Sequence, residues 1–387
     1  MAATVGVPKE TFPGERRVAL TPKSCEALAK AKLSVVLEQG AGLAAGFPDA
    51  EYERRGVRLA TRADVFASCE IIVQARTPGA NPVEGSADLP SLRAGQIVIG
   101  YGDPLTAHAE NAAVAATGAT LFATELVPRT TRAQAMDALS SMASIAGYEA
   151  VLLAAAALPK IFPMMMTAAG TITPAKVLVL GAGVAGLQAI ATARRLGAVV
   201  SAYDLRSEVK EQIESLGAKF VVLDLDTGGG GGGGGYAKAM DEAFYKRQRE
   251  LLTEVIREQD VVITTAAVPG RKAPVLVTAP MAEAMAPGSV IVDIAAERGG
   301  NCELTRAGET VVHNGISIIG PTNLASRAPF HASQMYATNL VNFLKLITKD
   351  GVVNINMDDD IVRETLVTRD GKIVHPKLAP PPEAPAK

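Results

Sequence analysis

Val177-Leu178-Val179-Leu180-Gly181-Ala182-Gly183-Val184-Ala185-Gly186-Leu187 is the stretch that decides the fold. Val177–Leu180 is an unbroken apolar run of strand length, as expected of a parallel strand buried on both faces. The Gly-x-Gly-x-x-Gly that follows opens a helix over Leu187–Leu196. Gly181 permits the tight turn, Gly183 lets the backbone approach a pyrophosphate, and Gly186 allows helix and strand to pack closely. The phosphates would then lie at the helix N-terminus, where N–H groups and the helix dipole favour an anion. Asp204 closes the next strand, at the spacing of the acid that bonds the adenosine ribose and repels a 2′-phosphate. The cofactor is therefore read as NAD(H), although Arg206, two residues on, argues the other way. The bland alternative is glycines that serve only a turn; the strand, helix and acid in register outweigh it.

On either side of this stretch the alternation of strand and helix continues. Val199–Tyr203, Phe220–Leu223, Val261–Thr264 and Val290–Asp293 read as further buried strands, and Ile316–Ile319 as a sixth. In the first half, Thr4–Val7, Val35–Leu37, Ile71–Val73, Ile97–Ile99 and Thr120–Ala123 repeat the theme. Thr21-Pro22 places an N-cap and an N1 proline before a helix over Lys23–Ala31. The fold class is α/β, with two Rossmann-like domains built on parallel sheets and a cleft between them. Residues 1–139 form the N-terminal domain and 140–326 the NAD(H)-binding domain. Gln334–Ile347 has apolar residues at helical spacing and cannot extend the second sheet, so 327–376 returns to complete the first domain. Asp370-Gly371 marks a hairpin there. The Pro-rich 377–387 is a tail.

The composition narrows the function classes. A chain of 387 residues with 48% hydrophobic and 20% charged residues reads as globular. The net charge of -2 provides no field to recruit nucleic acid. Three widely spaced cysteines, Cys25, Cys69 and Cys302, show neither a metal spacing nor a disulfide pattern, which suits a reducing cytoplasm. The start, Met-Ala-Ala-Thr-Val, lacks the basic and apolar regions of a signal peptide. The most lipid-like run, Ala150–Leu158, is far short of the ~20 residues of a span; a buried Ala-rich helix is expected instead. Gly228–Gly235 is eight consecutive glycines, a loop with no side chains to bury, and either a low-complexity insertion or an engineered replacement fits it.

Four further segments carry a family resemblance. They are Gly14-Glu15-Arg16-Arg17-Val18-Ala19, the run Pro128-Arg129-Thr130-Thr131-Arg132-Ala133-Gln134-Ala135-Met136-Asp137-Ala138-Leu139-Ser140-Ser141, Phe162-Pro163-Met164-Met165-Met166-Thr167-Ala168-Ala169-Gly170, and Ile263–Gly270 with Gly299-Gly300-Asn301-Cys302 downstream. Together they resemble the NAD(H)-binding domain of proton-translocating NAD(P) transhydrogenases, from the first strand to about His375. The resemblance implies direct hydride transfer between NAD(H) here and NADP(H) on a partner subunit, NADH + NADP+ = NAD+ + NADPH. It also implies that the NADP(H)-binding domain and the membrane domain lie on separate chains, and that the chain forms a homodimer. With no transmembrane helix expected, the chain would be cytoplasmic and peripheral to the inner membrane through those partners.

By the same resemblance, Arg129, Gln134, Asp137 and Ser140 are the polar cluster on the nicotinamide side. For Asp137 and Ser140 the bland alternative is helix capping, and for Arg129 a surface ion pair. Val184, Leu205, Arg206 and Ala267 would touch cofactor through backbone or packing. Gly235, Tyr236 and Gln248 correspond to the loop that closes over the nucleotide, where the polyglycine run departs from the family. Alanine dehydrogenases share the fold and form a second reading. Their substrate lysine falls on Arg76 here and their histidine near Asp103. Of the four histidines, none reads as catalytic: His313 is strand-packed, His375 lies in a hairpin, and His108 and His331 approach helices. A non-catalytic NAD-binding regulator is the third reading, and no metal site is expected.

Overall fold

Alternate side chains of the strand Lys176–Leu180 point into two separate cores, which is why the run is apolar at both parities. Val177 and Val179 join Val200, Ala202, Val261, Ile263, Val290 and Val292 on one face. Leu178 and Leu180 join Val262, Ile291, Ile316 and Ile318 on the other. Each such fully buried Val, Leu or Ile contributes about 1.5–3 kcal/mol. A computed structural model describes residues 2–223, 242–268 and 270–378. The chain divides into two compact units, Met1–Met142 with Ser326–Lys387, and Ala143–Ala325.

In the second unit the strands run in the order Lys219–Phe220, Val199–Tyr203, Lys176–Leu180, Val261–Thr264, Val290–Asp293, Ile316–Ile319 and Thr310–His313. All pair in parallel except the last, which is an antiparallel edge. Helices Ala138–Ala157 and Val184–Arg195 supply Ala150, Val151, Ala154, Ala189, Ile190 and Ala193 to the first core. Helix Glu242–Arg257 and Ala279–Glu283 supply Leu252, Ile256, Met281 and Ala282 to the second. Both faces are thus covered, as a parallel sheet requires. The expected strand Phe220–Leu223 is shortened to Lys219–Phe220, because past Phe220 the chain is at the sheet margin and Val222 is 74% exposed. The strand Thr310–His313 holds His313, expected to be strand-packed, and adds an antiparallel edge. It joins Ile316–Ile319 through Asn314 and Gly315, both at positive φ (49° and 76°), an Asn-Gly hairpin turn.

The first unit repeats the winding, with order Arg58–Ala60, Ser34–Glu38, Thr4–Val7, Ile71–Arg76, Ile97–Tyr101, Thr120–Ala123, Leu366–Arg369 and Lys372–Ile373. The last two strands are antiparallel and come from the C-terminal segment, joined through Asp370-Gly371. Helix Pro22–Lys30 starts on Thr21, whose Oγ1 accepts from the Ser24 N–H while Ser24 Oγ accepts from the Thr21 N–H at 2.8 Å. Helix Pro329–Leu346 packs into this unit through Tyr336, Leu340, Phe343 and Leu344. Its Tyr336 hydroxyl donates to the Gln74 carbonyl at 2.8 Å, and Phe343 meets Phe122 edge-on at 5.4 Å.

Helix Ala138–Ala157 corrects the short apolar run expected over Ala150–Leu158. It spans 20 residues and is, by length and composition, long and apolar enough to cross a membrane. Ser140, Ser141, Ser144 and Gly147 dilute its apolar character in sequence but are tolerated in the helix. Ala150, Val151 and Ala154 are nevertheless fully buried in the second unit's core, and Glu149 is buried as well. After this helix, a hairpin of Met165–Thr167 and Gly170–Ile172 stands exposed along its whole length.

Candidate functional site

The strand order of the second unit reverses between Lys176–Leu180 and Val261–Thr264, and ligands of doubly wound sheets bind beyond the carboxyl ends at such a point. Gly181 lies there at φ 98°, a conformation that residues with a Cβ rarely adopt. A Cβ on Gly186 would stand 1.9 Å from the Gly181 carbonyl oxygen, so only glycine lets the helix start against the strand. Gly183 is the N-cap of helix Val184–Arg195, with no side-chain cap and nothing within 4 Å of where a Cβ would be. Val184 follows it, exposed. An uncapped 12-residue helix whose N-terminus faces open space fits an anionic pyrophosphate. Helix Ala138–Ala157 buttresses this end: a Cβ on Gly147 would meet the Ala185 carbonyl oxygen at 2.1 Å.

Asp204 is placed where the ribose-binding acid belongs, but its carboxylate is already engaged. Oδ2 accepts from the Ala182 N–H at 2.7 Å and from Arg206 Nη2 at 2.9 Å. Oδ1 accepts from the Arg206 N–H at 2.9 Å and from Arg206 Nε at 3.0 Å. Burial works to raise this carboxyl, yet the Arg206 and Ala182 donors outweigh it and hold it below the usual range. Leu205 is half-buried against the second core.

Two residues left out of the expected site set the facing loop. Asp293, fully buried at the end of its strand, accepts from the hydroxyls of Thr264 and Thr305 and from the N–H groups of Ala295, Asn301 and Cys302, at 2.7–3.0 Å. Asn301, thus fixed and fully buried, accepts from the Ala266 N–H at 3.0 Å and donates to the Ala266 and Pro274 carbonyls at 2.8 Å. Thr265 Oγ1 donates to the Gly181 carbonyl at 3.0 Å, tying the loop to the glycine turn. Ala267 follows, exposed beside it.

Gln248 departs from expectation. It lies within helix Glu242–Arg257, buried, and its Nε2 donates to the Tyr203 hydroxyl at 2.9 Å. A buried helical amide already holding the end of the Asp204 strand is a packing residue there, not part of a closing loop. Gly235 and Tyr236, like the whole Gly228–Gly235 run, lie outside the described residues.

In the first unit, Gln134 rides on a single turn, Thr131–Met136, with its side chain exposed. The turn is rigidly mounted. Asn339 and Asn342, from helix Pro329–Leu346, both donate to the Ala135 carbonyl, at 3.0 and 3.2 Å. Arg132 is paired with Asp359 and Asp360. Asp137 caps helix Ala138–Ala157: Oδ1 accepts from the Ser140 N–H at 2.9 Å and Oδ2 from its hydroxyl at 2.5 Å. The capping alternative for Asp137 and Ser140 is therefore present in the structure. Arg129 is exposed just before the turn. Arg129, Gln134, Asp137 and Ser140 stand on one short segment, and the fingerprint residues on another.

The first sheet has its own reversal point, between Thr4–Val7 and Ile71–Arg76, and a buried polar cluster occupies it. Glu15 pairs with Arg17 at 2.6 Å and with Arg76 at 3.3 Å. The Arg76 guanidinium lies 4.0 Å from the centroid of the Phe12 ring. No histidine joins the cluster: His313 bonds Glu283, His331 meets the Phe330 ring edge-on, His375 is buried near the C-terminus, and His108 begins the helix His108–Ala116. Arginine cannot deprotonate at neutral pH, so Arg76 holds charge but cannot act as a base.

Glu125, beside this cluster, gives a testable pH dependence. Its Oε1 accepts from the N–H groups of Gly102 and Asp103, at 2.9 and 2.5 Å, while buried Oε2 has no hydrogen-bond partner among the described residues. Burial pushes its carboxyl up to about 7 against those donors. The folded chain then keeps a proton that the unfolded chain releases. This contribution to stability is complete below the ordinary carboxyl pKa and is lost as pH rises through about 7. Glu10, raised to about 8 by burial and by Glu15, acts in the same direction; His375, lowered by burial, acts in the opposite one. Glu125→Gln should therefore flatten the fall in melting temperature between about pH 5 and pH 8. Parallel curves for the two proteins in scanning calorimetry would reject the assignment.

Comparison with known proteins gives the family of this fold. Residues 6–146 match the family described as alanine dehydrogenase/PNT, N-terminal domain, and residues 150–376 match its C-terminal domain. An NAD(P) transhydrogenase alpha-subunit chain of Rhodospirillum rubrum is 44% identical over 97% of this chain and 98% of its own length. NAD(P) transhydrogenase subunit alpha of Cereibacter sphaeroides is 46% identical over 96% of this chain, which spans 71% of that longer protein. Among solved structures, transhydrogenase from Sinorhizobium meliloti superposes with a TM-score of 0.86 at 46% identity, covering 96% of this chain and 100% of that one. An L-alanine dehydrogenase superposes at 0.81 with 26% identity, covering 97% and 98%.

Proposed function

The chain belongs to the alanine dehydrogenase/PNT family, and from that premise we propose that it is the NAD(H)-binding subunit of a proton-translocating transhydrogenase. The reaction is NADH + NADP+ ⇌ NAD+ + NADPH, with NADP(H) held by a partner subunit. The observation that carries the reading is the open, uncapped start of helix Val184–Arg195 beside Gly181 and Asp204. Gly183 and Val184 present backbone N–H groups to the pyrophosphate, and Asp204 takes the adenosine ribose. Bound NADH supplies the hydride. Gln134 orients the nicotinamide end by its amide, with Arg129, Asp137 and Ser140 in support.

Transfer between two nicotinamide rings removes no hydroxyl or amine proton, so positioning and exclusion of water suffice. That requirement matches a site without an imidazole. An amino-acid dehydrogenase needs a general base, and by resemblance the substrate lysine and the histidine of alanine dehydrogenases fall on Arg76 and near Asp103 here. The exposed Met165–Thr167/Gly170–Ile172 hairpin provides surface for a homodimer. Membrane and NADP(H)-binding domains on separate chains would keep this subunit cytoplasmic, at the inner membrane's surface. A regulator that binds NAD without catalysis is the remaining reading, and it predicts binding with no hydride exchange in the presence of partner.

Calorimetry tests the nucleotide site first. NADH should bind well and NADPH poorly, and Asp204→Ala should weaken NADH by about 1.5–3 kcal/mol, the value of a hydrogen bond to a charged group. Comparable affinities of the unmodified chain for the two nucleotides would sink the assignment of Asp204.

A further inference from the structure

The acid that selects against NADP(H) is gripped by a residue well suited to select for it. Arg206 Nε and Nη2 reach the two oxygens of Asp204, at 3.0 and 2.9 Å, in the forked geometry that guanidinium also uses on phosphate. Both side chains are largely buried, 15% exposed for Arg206 and 7% for Asp204, so the pair is held rather than loosely associated. The Arg206 backbone N–H closes the same turn on Asp204 Oδ1. We propose that Arg206 is a 2′-phosphate anchor kept out of use by Asp204, so that the pair rather than the acid alone sets nucleotide choice.

The inference rests on the reading that Asp204 faces the adenosine ribose. In the intact pair the charges cancel and the Nε–Nη2 edge of the guanidinium is taken, so an approaching 2′-phosphate meets a carboxylate where that edge would otherwise receive it. Neutralising the acid leaves a cation whose donors already point to the end of the strand Val199–Tyr203. Glu208, exposed in the turn just beyond, also acts on Arg206. It opposes a phosphate less than Asp204 does, because its charge is screened by solvent. Asparagine is the informative replacement at 204: its amide oxygen can still accept the Ala182 N–H, preserving the turn, while the charge that held Arg206 is gone.

Binding of NADH and NADPH is measured by calorimetry on the parent chain, Asp204→Asn, and Asp204→Asn with Arg206→Ala, after circular dichroism has shown each folded. Asp204→Ser stands in if the asparagine variant does not fold. The parent should favour NADH strongly. The single variant should gain NADPH affinity by about 10- to 100-fold, the range of a charge-assisted hydrogen bond, with a gain that fades as salt is raised. The double variant should lose that gain. An unchanged NADPH affinity in the single variant, or a gain that survives removal of Arg206, overturns the proposal while NADH binding by the parent keeps the nucleotide site itself. A parent chain that binds neither nucleotide overturns the site, and the proposal with it.

Discussion

Gln134→Ala should slow hydride transfer by about 100-fold and leave NADH affinity within a few-fold, because a ring misplaced by about 1 Å costs that much in rate while the rest of the nucleotide is anchored elsewhere. The exposed Gln134 side chain sits on a turn pinned through Ala135 by Asn339 and Asn342. Such a mount fixes where the amide can point without requiring it for folding. The phosphates and adenosine, by contrast, would be held by Gly181–Gly186 and Asp204. Single-turnover transfer from bound NADH to partner-bound NADP+ separates alignment from binding, since product release is excluded. Arg129→Ala should fall between the unmodified chain and Gln134→Ala in rate. Transfer at the unmodified rate by Gln134→Ala under saturating nucleotide reduces Gln134 to an ordinary loop residue.

Gly186→Ala should abolish measurable NADH binding and lower stability by about 1–3 kcal/mol or more, the cost of overpacking. The added methyl would stand 1.9 Å from the oxygen and 2.9 Å from the carbon of the Gly181 carbonyl. Both are backbone atoms of the turn itself, so no side chain can move aside. Gly183→Ala provides the contrast, with φ -75° and open space around the new methyl. It should melt like the parent yet bind NADH poorly, because the methyl occupies the pyrophosphate's approach. Equal melting temperatures for Gly186→Ala and Gly183→Ala would show that the helix start is not held by this contact.

The second sheet was legible because its strands are apolar at both parities, which leaves no helical period to confuse them. The hairpin at Asn314-Gly315 was also written in the sequence, as an Asn-Gly pair between two apolar runs, of which only the strand character at His313 was taken up. Gly181 and Gly186 could be assigned separate tasks from spacing, and the positive φ and the close carbonyl contact fit those tasks. Other features depend on contacts far apart in sequence. Nothing local in Ile263–Gly270 shows that Asn301 clamps Ala266, or that buried Asp293 fixes Asn301. Gln248 was assigned to the closing loop by resemblance, and nothing local shows that it lies in a helix with the Tyr203 hydroxyl as its buried partner. The Asp204–Arg206 pair is two residues apart, yet its bidentate geometry is set by the turn, which spacing alone does not specify.

Whether this chain passes hydride between NAD(H) and a partner's NADP(H) is decided by one mixing experiment. The chain, loaded with a reduced NAD analogue of distinguishable absorbance, is mixed with the NADP+-loaded partner subunit, and a parallel sample receives NAD+ and L-alanine alone. The analogue should be oxidised, with matching NADPH formation, only when partner is present, and alanine should yield no NADH. Nucleotide binding without exchange in the first sample, or alanine-dependent NADH in the second, would contradict it.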